Sequence, residues 1–293
     1  MAATAAALFW GGNFVAVRIA LEFTDPYLLT TLRFAGVACL LLFLGWPTLP
    51  FRILLMYAFF SGVGQYLCST LAIQMGLSPG LAALLMQLQV FFSLGISYLV
   101  LHEALSVRTV VGSILGISGL AGVLLTGGTQ APVAAATVCL LSALGWSGAN
   151  MLVKQYPENA MRLQATAGLL CLPIVCFLRV WSDPGALPLA QGIAQLPWSA
   201  WLCLAYMVVV SLVLAQKLWG FAIVANGLGD TAPVALLISV FGLLISWLVL
   251  SERLSDQVLF CVGVVLIGIA VHMKPLSSSL RFQRKSGSSD DEL

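Results

Sequence analysis

Lys217 is the residue of this sequence with the sharpest chemical potential. It lies in an apolar run, and no Asp or Glu occupies the middle of any apolar run to pair with it. An ammonium so placed can meet a substrate carboxylate or change its protonation state. The competing account is that its four-carbon stem snorkels to headgroups. Tyr206 precedes it by eleven residues, about three α-helical turns, which predicts one shared face. Gln216 lies about 100° from the lysine and can border the same cavity, whereas Trp219, about 200° round, reads as packing.

Two further pairs carry polar chemistry in apolar surroundings. Trp10 with Asn13 and Trp146 with Asn150 are each three or four residues apart, so each pair shares a helical face. Asn can bind a polar substrate group or a neighbouring helix, and Trp can form an apolar wall. Gly11, Gly12 and Gly148 permit close helix approach beside them. Gln65 and Tyr66, then Gln87 and Gln89, complete the candidate set. Gln87 and Gln89 point about 200° apart, so at most one faces a central cavity and the other is expected to bond to a neighbouring helix. The substrate-binding candidates are therefore Trp10, Asn13, Gln65, Tyr66, Gln87, Trp146, Asn150, Tyr206, Gln216 and Lys217.

Other chemistries are poorly served. Seven cysteines all sit within apolar blocks, with no CxxC and no histidine partner, so they read as small apolar filler rather than metal ligands or disulfides. No nucleophile–base pair, metal spacing or phosphate loop supports an enzyme. Nothing calls for a cofactor. Net charge is +2 with no basic stripe, which gives no footing to a nucleic-acid partner.

The elements that must position these residues follow from composition. Hydrophobic residues make up 60% of 293 positions, charged residues 8%, and mean hydropathy is +1.03. Soluble domains carry about a quarter charged residues. The apolar blocks are about 20 residues long, the length that crosses about 30 Å of hydrocarbon as helix. An all-α polytopic membrane protein is expected, with ten spans at 2–21, 27–45, 51–74, 80–101, 107–125, 132–153, 161–179, 198–224, 230–250 and 257–273. The first block lacks a basic leader and is read as a retained span. Ser78-Pro79 and Asp230 are expected to cap the fourth and ninth spans. Arg33 is expected to be matched by Glu22 or Asp25. Glu103 and Glu252 are expected to bond locally. Gly112, Gly116, Gly119 and Gly122 form a small-residue packing face.

The chain also repeats itself. ISYLVLHEALS, starting at Ile96, returns 149 residues later as ISWLVLSERLS from Ile245, identical at eight of eleven positions. Trp10-Gly-Gly-Asn-Phe-Val-Ala-Val-Arg18 is echoed by Trp146-Ser-Gly-Ala-Asn-Met-Leu-Val-Lys154, 136 residues on. The difference in offset falls in the long 180–197 connection. The halves are 1–126 and 132–274, with a polar tail at 275–293 read as disordered. Five helices per copy is an odd number, so the copies must lie in opposite orientations, and this duplication points to transport. With the N-terminus inside, eight cations fall on the inner side (Arg52, Arg108, Lys154, Arg162, Lys274, Arg281, Arg284 and Lys285). Three fall outside (Arg18, Arg179 and Arg253), which places both termini in the cytoplasm. The terminal DDEL could not then be read by a lumenal receptor, so it is not taken as a retrieval signal.

With that layout, the stretches WGGNFVAVR, LRF at 32–34, GLSPGLAALLMQLQVFFS at 76–93, HEALSVRTVVGSILGISGLAGVLL at 102–125, LWGFAI, TAPVALLISVFGLL and SERLS make the chain resemble the drug/metabolite transporter superfamily, in its EamA branch. Within that branch it is similar to bacterial exporters of cysteine-pathway metabolites, including O-acetylserine, and of other amino acids. The resemblance implies an inner-membrane carrier whose central cavity is lined by helices 1, 3, 4, 6, 8 and 9, with helices 5 and 10 peripheral. Lys217 is not a hallmark of the family. The absent mid-span carboxylate argues against lipophilic-cation efflux, and the scarcity of cavity cations argues against sugar nucleotides. The expected function is export of small amphipathic metabolites, amino acids first, by alternating access. Permeation of other metabolites or drugs, and a non-transporting membrane scaffold, are the alternatives. The expected partners are the small-molecule substrate and the bilayer, with oligomeric state open and a monomer among the options.

Overall fold

The computed structural model describes residues 1–101, 107–125, 132–226, 234–235, 237–252 and 255–273. Among the described residues the chain is helical throughout its apolar blocks and contains no strand. The helices are α1 (Ala2–Ala20), α2 (Pro26–Leu44), α3 (Phe51–Gln74), α4 (79–101), α5 (Val107–Leu125), α6 (Val133–Gln155), α7 (Ala160–Ser182), α8 (198–226), α9 (Leu237–Leu250) and α10 (Asp256–Met273). A short helix, Leu189–Ala194, lies in the connection before α8. Six of the ten, α1, α2, α3, α6, α7 and α8, are long and apolar enough to cross a membrane. The others that the sequence reads as spans are shorter apolar helices or run beside residues outside the described set.

Local chemistry starts and stops these helices, at Ser78 as the sequence predicts. Asp25 accepts a hydrogen bond from the Leu28 nitrogen at 2.8 Å, with Pro26 at the first helical position. Ser78 does the same for Leu81 at 3.3 Å, with Pro79 following. Asp230, Glu103 and the polar tail lie outside the described residues. Gly45 and Gly76 end α2 and α3 with φ of 71° and 99°, a region that only glycine enters without strain.

Three helices depart from α geometry in their middles. α3 is a π-helix over Ala58–Leu67, and α8 is a π-helix over Tyr206–Leu214. α4 tightens to a 3₁₀ turn at Met86–Leu88. Such mid-helix departures are uncommon and concentrate at functional positions. The two π segments also sit at matching places in the repeat. Tyr57, just before the first, and Tyr206, opening the second, differ by 206 − 57 = 149, the offset of the ISYLVL echo.

The helices pack across the two halves. In a bilayer, lipid removes most of the hydrophobic drive between helices, so close contact at small residues carries the association. α5 meets α10 through Gly119, where a methyl group would lie 2.8 Å from Val265, and Gly268, where one would lie 2.5 Å from the Gly116 nitrogen. α4 meets α9 at Gly80 and Ala83 against Leu243, Ser246 and Gly242. α2 meets α7 where Gly168 touches the Phe34 carbonyl and the Ala38 nitrogen. α1 packs on α8 and α9, with Gly11 against Gly242, and α6 packs on α3 and α4, with Gly145 against Gly64. Exchanging the halves maps each of these pairings onto another or onto itself.

The antiparallel pair α2 and α7 is tied at both ends. Arg162 donates through Nε to the Leu44 carbonyl at 3.0 Å, satisfying the end of α2. At the other end Arg179 bridges to Asp25 at 2.9 Å and donates to the Leu187 carbonyl at 2.7 Å. Trp46, Trp181 and Trp198, all largely exposed, mark helix ends, where indole side chains suit a membrane interface. The buried interior divides into one cluster around α1, α4, α6 and α8 and another between α2, α3, α6 and α7. Cys139 and Cys171 are buried in these clusters as free thiols.

Candidate functional site

The candidate residues fall into separate groups once their helices are in place. On α1, Trp10 stacks at 5.3 Å between centroids on Trp219 of α8, tilted by 57°. Asn13, on the same face of α1, has a buried side-chain oxygen with no hydrogen-bond partner. Tyr206 donates its hydroxyl to the Phe9 carbonyl at 2.8 Å. It reaches α1 because Gly12 leaves room: a methyl there would lie 2.5 Å from the hydroxyl oxygen. Trp10, Tyr206 and Trp219 therefore form the α1–α8 contact, and the Asn13 acceptor on the same face of α1 is a buried polar group left unmet.

Trp219 enters this group although sequence periodicity assigns it to packing opposite Lys217. Lys217 and Gln216 are exposed, and Lys217 shares its side of α8 with Leu214 and Phe221, 41% and 66% exposed. The expected shared face of Tyr206 and Lys217 is corrected here. The π register from Tyr206 to Leu214, with its i→i+5 bonds, turns less per residue than an α-helix. Eleven residues therefore do not close three whole turns. Tyr206 faces α1, and Lys217, about 200° round from Trp219, points away from α1.

A second group links α4 to α6. Asn150 donates to the Gln89 side chain at 3.0 Å, and Ser147 donates to the Gln89 carbonyl at 2.8 Å. Gln89 follows directly on the 3₁₀ turn of α4. Trp146 is half-buried against the first core cluster. Gln87, 2% exposed, donates to the Ala235 carbonyl at 2.6 Å, so it ties α4 to the residues entering α9. Of the two glutamines, Gln87 bonds to backbone and Gln89 to a side chain. Leu236, the repeat equivalent of Gln87, lies outside the described residues; Ile238, the equivalent of Gln89, is buried in the first cluster.

The third group surrounds α3. Gln65 is half-buried, and its carbonyl accepts from Ser142 at 2.6 Å. Tyr66 packs edge-on against Phe34 at 6.2 Å and carries the Arg33 guanidinium over its ring at 4.3 Å. Gln164 of α7 accepts from Tyr57 at 2.8 Å and Ser61 at 3.3 Å. The expectation that Glu22 or Asp25 matches Arg33 is overturned: Asp25 is committed to the α2 cap and to Arg179, and Arg33 is enclosed among helices beside Tyr66. Sequence reasoning passed over Arg33, Tyr57 and Gln164. The 149-residue match of Tyr57 with Tyr206 was the available signal. Glu252 accepts from Ser246, within α9, in keeping with a local role.

Among the described residues no group of three or more His, Cys, Asp or Glu could hold a metal ion. A cavity of about 230 Å³ opens where the α1–α2 turn meets the end of α7, lined by Thr24, Asp25, Arg179 and Asp183 among others. It lies apart from the three groups above.

Comparison with known proteins gives these groups a context. The profile described as the EamA-like transporter family matches residues 1–125 and again 133–273. A Salmonella typhimurium (strain LT2) protein named "Probable amino-acid metabolite efflux pump" is 27% identical over 281 residues, covering 90% of this chain and 91% of the relative. An Escherichia coli (strain K12) protein of the same name is 26% identical over 296 residues, covering 95% of each. A solved structure titled "Crystal structure of protein" superposes with a TM-score of 0.64 at 18% identity, covering 92% of this chain and 94% of that one, which speaks to the fold alone.

Proposed function

The chain belongs to the EamA-like transporter family, and from that premise we propose that it exports small amphipathic metabolites, amino acids first, across the inner membrane by alternating access. It is a multi-pass membrane protein and a carrier. The observation that carries the substrate reading is the α1–α8 contact: an indole pair, a tyrosine and an unpaired buried amide acceptor at Asn13. Rings of this kind cover an apolar side chain, while the Asn13 oxygen accepts from a donor group of the substrate. The naming of both curated relatives for amino-acid metabolite efflux supports the same class.

We read the ten helices as spans in a five-plus-five inverted repeat with both termini in the cytoplasm. The exchange of helix pairings between halves and the paired π segments support that layout. Because the Trp10 and Trp219 rings fill the space between them, a ligand enters only when α1 and α8 part, as rocking of the halves would require. In this reading Trp10, Asn13, Tyr206 and Trp219 meet the substrate on one side, and Gln65, Tyr66, Trp146 and Asn150 line the rest of the path. Gln87 holds α4 in place, and Lys217 with Gln216 sits on the outward side.

Cells overproducing the protein test the proposal. Amino acids in the medium, measured by chromatography, should accumulate above the level of cells carrying an empty vector. Trp10→Ala should reduce that excess about tenfold or more at equal membrane abundance, since it takes away the indole contact with Trp219. Excretion by the Trp10→Ala variant equal to wild type would remove this contact from the site.

A further inference from the structure

We infer that Arg33 is the anchor for a carboxylate, the α-carboxylate of the transported amino acid, held where α2, α3 and α7 meet. The inference rests on the carrier reading above and names the group that fixes the substrate's acidic end. Arg33 is 4% exposed, seven residues into α2, about 10 Å along a helix of 19 residues, and so is set well inside the bundle. Its Nε has no hydrogen-bond partner, and among the described residues no carboxylate pairs with it. A guanidinium enclosed in this way is unfavourable unless an anion or a full set of acceptors meets it. The Tyr66 face at 4.3 Å offsets only part of that cost.

The neighbours complete an anion site and not an ion pair. Gln164 Oε1 accepts both the Tyr57 and the Ser61 hydroxyls, which leaves its amide nitrogen as a donor turned away from them. Arg33 and Gln164 both interact with the Tyr66 hydroxyl, a single neutral oxygen shared between two donors. Donors thus converge around Tyr66 with no acidic side chain among them. Tyr66, Gln164 and Val63 are half-buried, so their side of the group is its less enclosed one. The planar guanidinium fork matches the two oxygens of a carboxylate better than a point charge would. The clamps at both ends of the α2–α7 pair hold Arg33 and Gln164 in fixed relation.

Ligand-induced shifts in thermal unfolding of the purified full-length protein test this without requiring transport. The common L-amino acids are screened first, and each that stabilises the wild type is compared with its α-carboxamide. The expected result is stabilisation by at least one acid and about tenfold or more weaker binding of its amide. Arg33→Gln should weaken the acid by a similar factor and bring it level with the amide. Arg33→Lys, which keeps the charge and loses the fork, should fall between. Equal binding of acid and amide by the wild type overturns the assignment, as does undiminished acid binding by a folded Arg33 variant or no binding of any amino acid. Where both variants fail to fold, the acid–amide comparison on the wild type decides. Arg33-dependent acid binding in a protein that moves no amino acid would overturn the carrier reading and leave the carboxylate site standing.

Discussion

Arg33 and Lys217 are the two cations that the sequence places within apolar runs, and their surroundings in the structure are opposite. Lys217 stands on a face shared with Leu214 and Phe221, where a long aliphatic stem can run along lipid and deliver its ammonium to headgroups. Arg33 is enclosed and lies over Tyr66. The sequence alone favoured Lys217 because no carboxylate was near it, and it discounted Arg33 because Asp25 lay eight residues away. Both judgements turned on partners that only folding reveals: Asp25 is taken by Arg179 from α7. Lys217→Gln is therefore expected to leave amino-acid efflux from proteoliposomes within about twofold of wild type, since it removes a surface charge and no enclosed contact. A loss of efflux with intact folding would return the lysine to the translocation path. The pairing of Trp10 with Asn13 on one face was legible, being separated by a single α turn with no irregularity between them.

At the scale of elements, the positions of the helices were legible and their internal geometry was not. Each expected run from 2–21 to 198–224 matches a helix to within three residues, because the length needed to cross hydrocarbon leaves little freedom. The Ser78 cap was equally plain, whereas Asp25, read as a partner of Arg33, caps α2 in the same acceptor-before-proline pattern. The π segment of α8 left no trace that hydrophobic periodicity could detect, since apolar residues lie on all sides of Tyr206–Leu214. That is why an α-helical wheel misplaced Tyr206 relative to Lys217. The glycine contacts make a sharper test of the packing. A side chain on Gly145 would meet the Gly64 backbone at 2.6 Å, whereas Gly220 has nothing within 4 Å. Gly145→Leu should destabilise the protein by about 1–3 kcal/mol or more, because backbone cannot yield as a flexible side chain can. Gly220→Ala should be neutral or stabilising by about 0.5–1 kcal/mol, through helix propensity alone. Thermal unfolding in detergent measures both, and equal effects of the two substitutions would contradict the α3–α6 contact described here.

At the scale of the whole molecule, duplication organises everything else. The repeat was legible in two short echoes because the corresponding stretches in the two halves kept their residues. The structure adds what those echoes could not show: α2, α4 and α5 pack on their own counterparts α7, α9 and α10, while α1 and α6 cross to the opposite half. The halves are unlike where the polar groups lie. Arg33 has Leu169 at its counterpart position by the 136-residue offset, and Gln65 has Leu214 by the 149-residue offset. Near-symmetric halves with one-sided polar groups suit a substrate whose charged groups lie at one end and whose apolar part lies at the other. Efflux from liposomes containing only the purified protein tests this most directly. Vesicles preloaded with radiolabelled common L-amino acids and O-acetyl-L-serine should release at least one of them faster than protein-free vesicles. Release indistinguishable from protein-free vesicles for every compound would contradict the account.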